Sequence, residues 1–135
     1  MGDAGCATSS GSGVQLTASG STSVGADDLV LTATGVPLQQ TGLMFLGDQQ
    51  IFAPFGDGQR CVGGFTGRFP IRSAGATGVI VEGPGLAAYT LTSLPSQAWI
   101  DPGDTVHFQC WVRDPGGPCG SSFTLSNALS VSFTP

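Results

Sequence analysis

The stretch "VHFQCWVRDPGG", Val106 to Gly117, decides how the rest of the chain is interpreted, because its polarity alternates from residue to residue. Successive side chains of a strand point to opposite faces, so this alternation predicts a half-buried β-strand. One face is apolar and consists of Val106, Phe108, Cys110 and Val112. The other face carries His107, Gln109, Trp111 and Arg113. Pro115 and Pro118 cannot donate ladder hydrogen bonds, so we expect the strand to end at "DPGGP".

The same alternation recurs along the chain, whereas the three- and four-residue spacing of a helix is nearly absent. Alternating segments are "GVQLTAS", "DDLVLTATG", "AAYTLTSL" and "ALSVSFTP". "GLMFLG" and "GVIVEG" are apolar on both faces, which is typical of central strands. Gly-, Pro- and Asp-rich turns separate these segments. The pattern predicts an all-β fold, an antiparallel β-sandwich or jelly roll of about eight or nine short strands. Its predicted core is Leu16, Leu29, Leu31, Phe45, Tyr89, Leu91, Phe108, Leu129, Val131 and Phe133.

The length of 135 residues fits a single domain with one core. We expect this domain to span residues 14–135. The segment before it, residues 1–13, is small and polar, and we expect it to be loose except where Cys6 ties it down.

Charge argues against a nucleic-acid partner. The chain has a formal net charge of −5, no lysine, and only four basic residues, which are Arg60, Arg68, Arg72 and Arg113. A phosphate backbone requires clustered cations, which this inventory does not supply. No apolar run approaches the length that would cross a bilayer.

The cysteines favour an oxidising compartment. Cys6, Cys61, Cys110 and Cys119 lack the spacing of a zinc site, and one histidine cannot complete a Cys/His cluster. Two disulfides are the better interpretation, with three pairings open, of which we favour Cys6–Cys61 and Cys110–Cys119. The start "MGDAGC" has no signal-peptide pattern, so we interpret the chain as a domain cut from a longer exported protein.

The residues do not favour an enzyme. His107 is the only histidine available as a base, and the Gly-x-Ser-x-Gly elbow of serine hydrolases is absent. The acidic pairs Asp27–Asp28, Asp101 with Asp104, and Asp48 with Asp57 stand in turn contexts, where Asp binds its own backbone. No cofactor is expected. Calcium bound by loop carboxylates is a lesser alternative, because no Asp-x-Asp-x-Asp-Gly pattern occurs.

Two stretches are candidates for binding. "PFGDGQRCVGG", Pro54 to Gly64, is interpreted chiefly as a tight turn around Asp57 that leads into a cysteine-anchored strand. The face of His107, Gln109, Trp111 and Arg113 offers an aromatic plate beside an amide and a guanidinium, which is what sugar recognition uses. The alternative is a scaffold, in which Trp111 is part of the core and an Arg113–Asp114 ion pair holds the turn.

Three motifs together resemble an uncharacterised module found near the C-termini of large secreted proteins of planctomycetes, myxobacteria and related environmental bacteria. The resemblance spans roughly Gly20 to Pro135. It is carried by Gly56, Gly58, Cys61 and Val62, then by Gln109, Trp111, Arg113 and Asp114, and finally by Leu125, Ser126, Asn127, Ala128 and Leu129. Cys110 and Cys119 depart from that pattern. The resemblance implies a terminal accessory module of a larger exported chain and brings no activity with it.

The first functional hypothesis is therefore a non-catalytic extracellular module that binds a polysaccharide or another cell-surface component, or displays its parent chain. The second is a structural module that packs against identical copies through exposed strand edges, by β-augmentation. Low charge and a Thr-rich surface favour close packing between copies.

Overall fold

The computed structural model describes residues 13–55, 58–64, 66–115 and 122–135. This part of the chain is dominated by antiparallel strands and contains one α-helix, α1 (Leu86–Ser93), and one 3-10 turn (Ser96–Ala98). The strands are β1 (Gln15–Ser19), β2 (Val30–Thr34), β3 (Thr41–Gly47), β4 (Gln49–Phe55), β5 (Gly58–Gly63), β6 (Gly67–Arg68), β7 (Arg72–Ser73), β8 (Ile80–Glu82), β9 (Thr105–Arg113), β10 (Phe123–Leu125) and β11 (Leu129–Ser132). The all-β prediction is confirmed.

The strands form three antiparallel units. The first sheet has the order β1-β2-β8. In the second sheet β3 and β9 pair at the centre, β10 and β11 follow each other along the outer edge of β9, and β6 and β7 along the outer edge of β3. The third unit is the β4–β5 hairpin, whose register shifts between Gln50 and Ala53.

One hydrophobic core takes side chains from both larger sheets. The first sheet contributes Leu16, Leu31 and Ile80, and the second contributes the face of β9 that the alternation predicts to be apolar. The four residues of that face are fully or almost fully buried: Val106, Phe108, Cys110 and Val112. Phe108 packs against the rings of Phe69 and Phe133, with centroids 6.5 and 6.3 Å away. On the opposite face of β9, Trp111 packs against a second, smaller hydrophobic cluster.

Strand β3 has the predicted central position, but β8 does not. Met44 and Leu46 of β3 face the main core, while Phe45 belongs to the second cluster, so the strand is buried on both faces. In β8 only one face is buried, and Val81 is 48% exposed. The prediction of a central strand at "GVIVEG" is wrong because β8 is the last strand of its sheet and its outward-facing Val81 is half exposed.

The segment "AAYTLTSL" forms α1 rather than a strand. The carboxylate of Asp27 accepts hydrogen bonds from the N–H groups of Ala87 and Ala88, at 2.9 and 3.0 Å, and so caps the start of the helix from a distant loop. Helical periodicity turns Leu91 to solvent, with 50% exposure, instead of placing it in the core. Among the described residues no helix is long and apolar enough to cross a membrane.

The remaining predicted core residues are buried in varying degree. Leu16, Leu29, Leu31, Phe45, Phe108 and Phe133 are buried as predicted. Tyr89, Leu129 and Val131 are partly buried and pack against the main core.

Asn127 joins the second sheet to the edge of the first. Its side-chain oxygen accepts the Leu16 N–H at 2.7 Å, and its amide nitrogen donates to the Leu16 carbonyl at 3.1 Å. Both residues are buried. At the edge of β1 that faces away from β2, the side chain thus satisfies the two backbone groups of Leu16 that a neighbouring strand would otherwise bind. Ser126 extends the link, because its hydroxyl accepts the Cys110 N–H at 2.9 Å. The "LSNAL" motif is therefore part of the scaffold.

Neither predicted disulfide is present in the described part of the chain. Cys61 and Cys110 are buried, and their predicted partners Cys6 and Cys119 lie outside the described residues, so both pairings stay predictions. Burial raises the pKa of the Cys110 thiol to about 12 and also raises the pKa of Cys61.

The N-terminal segment that the sequence predicts to be loose, residues 1–13, lies outside the described residues except for Gly13.

Candidate functional site

A cleft of about 450 Å³ opens on the face of β9 and β3 that points away from the main core. Its floor comes from the two central strands, because odd-numbered residues of both strands share this face. Its walls come from β5, β6, β10 and two loops. The lining residues are Leu43, Phe45, Arg60, Thr66, Arg68, Ile71, Trp111 and Phe123.

Trp111 lies in this cleft and is half-buried. Its ring centroid is 5.7 Å from that of Phe123, with the planes tilted by 34°. It also packs against the second hydrophobic cluster, whose buried members are Phe45, Val62 and Leu125. Trp111 therefore combines the two predicted roles, since part of the indole supports the scaffold and part lines an open cleft.

Two arginines line the cleft with the aromatic rings. The Arg60 Nε–H donates to the Val62 carbonyl at 2.8 Å, and its guanidinium carbon is 5.8 Å from the centroid of the Phe45 ring. Arg68 is placed by β6, in which it is the direct cross-strand partner of Phe45. Ile71, which is 69% exposed, adds an apolar side chain to the wall. The cleft thus combines aromatic faces with guanidinium donors.

Gln109 does not contribute to this surface, because it is completely buried. Its carbonyl oxygen accepts the Cys61 N–H at 2.9 Å, and its amide nitrogen donates to the Ser126 carbonyl at 2.7 Å. The side chain therefore connects the β4–β5 hairpin to the second sheet. Its burial corrects the prediction that Gln109 belongs to an exposed binding face.

His107 is also buried, with 8% exposure, and its Nδ1 lies 2.7 Å from the hydroxyl of Ser130, its cross-strand partner. Arg113 is exposed but does not line the cleft. The structure therefore brings only Trp111, of the four predicted binding residues, into the cleft.

The predicted turn around Arg113 and Asp114 takes another form. Asp114 is buried, and its N–H donates to the Ser122 carbonyl at 2.7 Å. Within the described ranges no ion pair joins Arg113 to Asp114; an ion pair joins Arg72 and Glu82 instead, with 3.0 Å between Nη2 and Oε2. Asp57, predicted to hold the other turn, lies outside the described residues.

Three side chains of the predicted acidic pairs accept hydrogen bonds from backbone N–H groups, and these are Asp27, Asp28 and Asp104. Asp27 caps α1, and the Asp104 carboxylate accepts the Asp101 N–H at 3.1 Å. Hydrogen bonds from the hydroxyl and N–H of Ser21 lower the pKa of Asp28. In the described ranges no three His, Cys, Asp or Glu side chains form a group that could hold a metal ion. The calcium alternative stays a prediction.

The sequence does not single out most of the cleft. Leu43 and Phe45 of β3, Arg68 of β6 and Phe123 of β10 come from three separate strands, and only the pairing of β3 with β6 and β9, and of β10 with β9, unites them. The one available signal is the scarcity of basic residues, since two of the four arginines line this cleft.

No protein-family model, curated protein or solved structure matches this chain.

Proposed function

We propose that this protein is a non-catalytic, extracellular β-sandwich module of a larger exported protein, and that it binds a polysaccharide through the cleft around Trp111. The observation that carries the proposal is the cleft itself, in which Trp111, Phe123 and Phe45 stand beside Arg60 and Arg68. Sugar rings present apolar C–H faces and a rim of hydroxyl groups. An aromatic wall with fixed donors is complementary to both.

The size of the cleft supports a small segment of a polymer as the ligand. Its volume of about 450 Å³ falls within the range of ordinary ligand pockets. Trp111 has its position fixed by Phe123 and by the second cluster, so little side-chain freedom is lost when a ligand binds. A preorganised aromatic surface is the feature that a saccharide-binding module needs.

The proposal includes the β-sandwich architecture and the two disulfides predicted from the sequence. The shared core of the two larger sheets supports a face-to-face arrangement. The favoured pairings, Cys6–Cys61 and Cys110–Cys119, would suit a module that functions outside the cell. Peptide mapping of the natively secreted protein under non-reducing conditions tests them, and free thiols at these positions would contradict them.

The binding proposal is tested by isothermal titration calorimetry against a panel of soluble polysaccharides, with Trp111→Ala as the variant. Loss of an aromatic anchor costs about 2 kcal/mol or more, which is about 30-fold in affinity. Trp99→Ala is the matched control, because Trp99 is 38% exposed and lies outside the cleft. A thermal melt of each variant establishes that it is folded. Unchanged affinity in folded Trp111→Ala would refute the proposal.

The second candidate function is self-assembly through the first sheet. Its outer face bears Thr17, Thr32 and Val81, which are neighbours on adjacent strands and carry no charge. An uncharged face beside an edge strand favours packing between copies. Light scattering after size exclusion tests it. A monomer at all concentrations, or association unaffected by Val81→Lys, would remove this candidate.

A further inference from the structure

We infer that this cleft recognises the end of a saccharide chain and excludes the interior of a long polysaccharide. The inference rests on the proposed function and specifies which part of the ligand binds. It follows from the shape of the cleft, which has walls at one end and along both sides and is exposed at its other end.

The β4–β5 hairpin covers the end of the second sheet where β3 ends and β9 begins. A β-carbon at Gly47, the last residue of β3, would overlap the carbonyl oxygen of Gly63, so the hairpin backbone lies directly on β3. The Cys61 N–H of β5 donates to the Gln109 side chain at 2.9 Å and joins the hairpin to β9. Gln109 is completely buried at this contact. The hairpin therefore occupies this half of the face, on which a ligand would otherwise lie.

Arg60 forms the wall of the cleft at this end. Its guanidinium carbon is 5.8 Å from the centroid of the Phe45 ring, and its Nε–H donates to the Val62 carbonyl at 2.8 Å. The side chain is thus held above the floor of the cleft by a residue of its own strand. A saccharide that stacks on Trp111 and continues along β3 past Phe45 meets Arg60 and the hairpin behind it. This end of the cleft is therefore closed to a continuing chain.

Side chains at both edges of the second sheet form the two sides of the cleft. Phe123 of β10 stands on one side, with its ring centroid 5.7 Å from that of Trp111. Arg68 of β6 and Ile71 stand on the other side. Since β9 and β3 lie between β10 and β6, these walls are separated by three strand spacings, about 14 Å. A saccharide between the walls is directed along the strands rather than across them.

The other end of the cleft, where β3 begins and β9 ends, is exposed to solvent. Ser73 is the cross-strand partner of Thr41, and Arg113 is the cross-strand partner of Phe123. Cross-strand partners present their side chains on the same face of a sheet, so these residues share the face of the cleft. Arg113 and Ser73 are exposed, and Thr41 is partly exposed. Within the ranges that the structure describes, a bound saccharide can therefore leave the cleft at this end and not at the other.

The distance between the two ends limits how much of the saccharide is bound. Phe45 pairs with Gln109, and Phe123 pairs with Arg113, which lies four residues further along β9. Four residues of a strand span about 13 Å, which is the length of about two or three sugar rings. A site of this length with one exit accepts the terminal rings of a chain, because the wall at the closed end clashes with any ring that follows.

The test is calorimetry with ladders of xylo-, manno-, laminari- and malto-oligosaccharides, and with linear polymers of the same linkages and known chain length. We expect the affinity per chain to rise until the cleft is filled, at about three units. With further units the affinity is expected to change by less than about 2-fold, and each chain, polymers included, is expected to bind a single module. Several modules on each polymer chain, in proportion to its length, would indicate interior recognition and overturn the inference.

Reduction of the best oligosaccharide with borohydride opens its terminal ring and identifies which end is bound. Loss of binding assigns the reducing end, and unchanged binding with a single module per chain assigns the non-reducing end; both results support the inference. Trp111→Ala is expected to lose at least about 30-fold in affinity at every length, and Trp99→Ala is the matched control. Stoichiometry that grows with length, together with loss in Trp111→Ala, overturns the inference and leaves the proposed function standing. Absence of binding to every ladder and polymer overturns both.

Discussion

Replacing Asn127 with alanine is expected to destabilise the fold strongly, although the side chain is small and polar. The substitution removes the two hydrogen bonds to Leu16, 2.7 Å from its N–H and 3.1 Å from its carbonyl. Leu16 is completely buried, so neither group gains a water molecule without a rearrangement. A buried polar group left unsatisfied costs about 1–3 kcal/mol, which gives about 2–6 kcal/mol for the pair.

The measurement is the free energy of unfolding by urea titration, followed by tryptophan fluorescence. Thr17→Ala is the control, because Thr17 is the next residue of β1 but is exposed, and we expect a loss below about 0.5 kcal/mol. A loss in Asn127→Ala no larger than in the control would refute the idea that the Asn127 side chain closes the edge of β1.

The variant Asn127→Asp separates the two hydrogen bonds. A carboxylate can still accept the Leu16 N–H, but it faces the Leu16 carbonyl with a negative charge instead of a donor. Burial and this repulsion raise the pKa of the introduced carboxyl in the folded state. The folded variant then binds a proton more tightly than the unfolded chain, so its deficit relative to the natural protein shrinks as pH falls. A deficit that grows in acid would contradict this geometry.

Three further outcomes are expected. Asp27→Ala removes the cap of α1 and should lower the free energy of unfolding by about 1 kcal/mol, while Asp27→Asn retains an acceptor and loses less; equal losses would contradict the capping role. In the reduced protein, the Cys110 thiol should react with an alkylating reagent only as fast as the protein unfolds, because it is completely buried. Because its folded pKa is about 12, stability should fall as pH rises above the ordinary thiol pKa, by about 1.4 kcal/mol per pH unit, and a Cys110→Ala variant should lack this component; the same alkaline slope in both proteins would refute it.

The features that local sequence determined are those that depend on near neighbours. The alternation in "VHFQCWVRDPGG" correctly separates the two faces of β9, because side-chain direction in a strand follows from position alone. Asp28 and Asp104 are confirmed as turn residues, since each accepts a hydrogen bond from a backbone N–H of its own loop, that of Ser21 and that of Asp101. The apolar run "GLMFLG" identifies a strand buried on both faces.

Only the tertiary structure determines which distant segments pack against a strand or helix and which of its side chains they bury. The segment "AAYTLTSL" is short enough to suit a strand or a helix, and the Asp27 carboxylate, 60 residues away, caps it as a helix. Gln109 is predicted to be exposed because His107 and Arg113 on the same strand face are polar, yet the side chain is completely buried and binds the Cys61 N–H of the β4–β5 hairpin.

The same physical reason applies to the cleft and to the edge of β1. Trp111 is aromatic wherever it lies, but its half-buried position beside Arg60 and Arg68 requires β9, β3 and β6 to pair and β5 of the hairpin to pack beside them. Asn127 binds Leu16 across a separation of 111 residues. Hydrophobic periodicity states which way a side chain points along its own strand. It carries no information on which distant backbone or layer will meet that side chain, because that contact arises only when the sheets pack together.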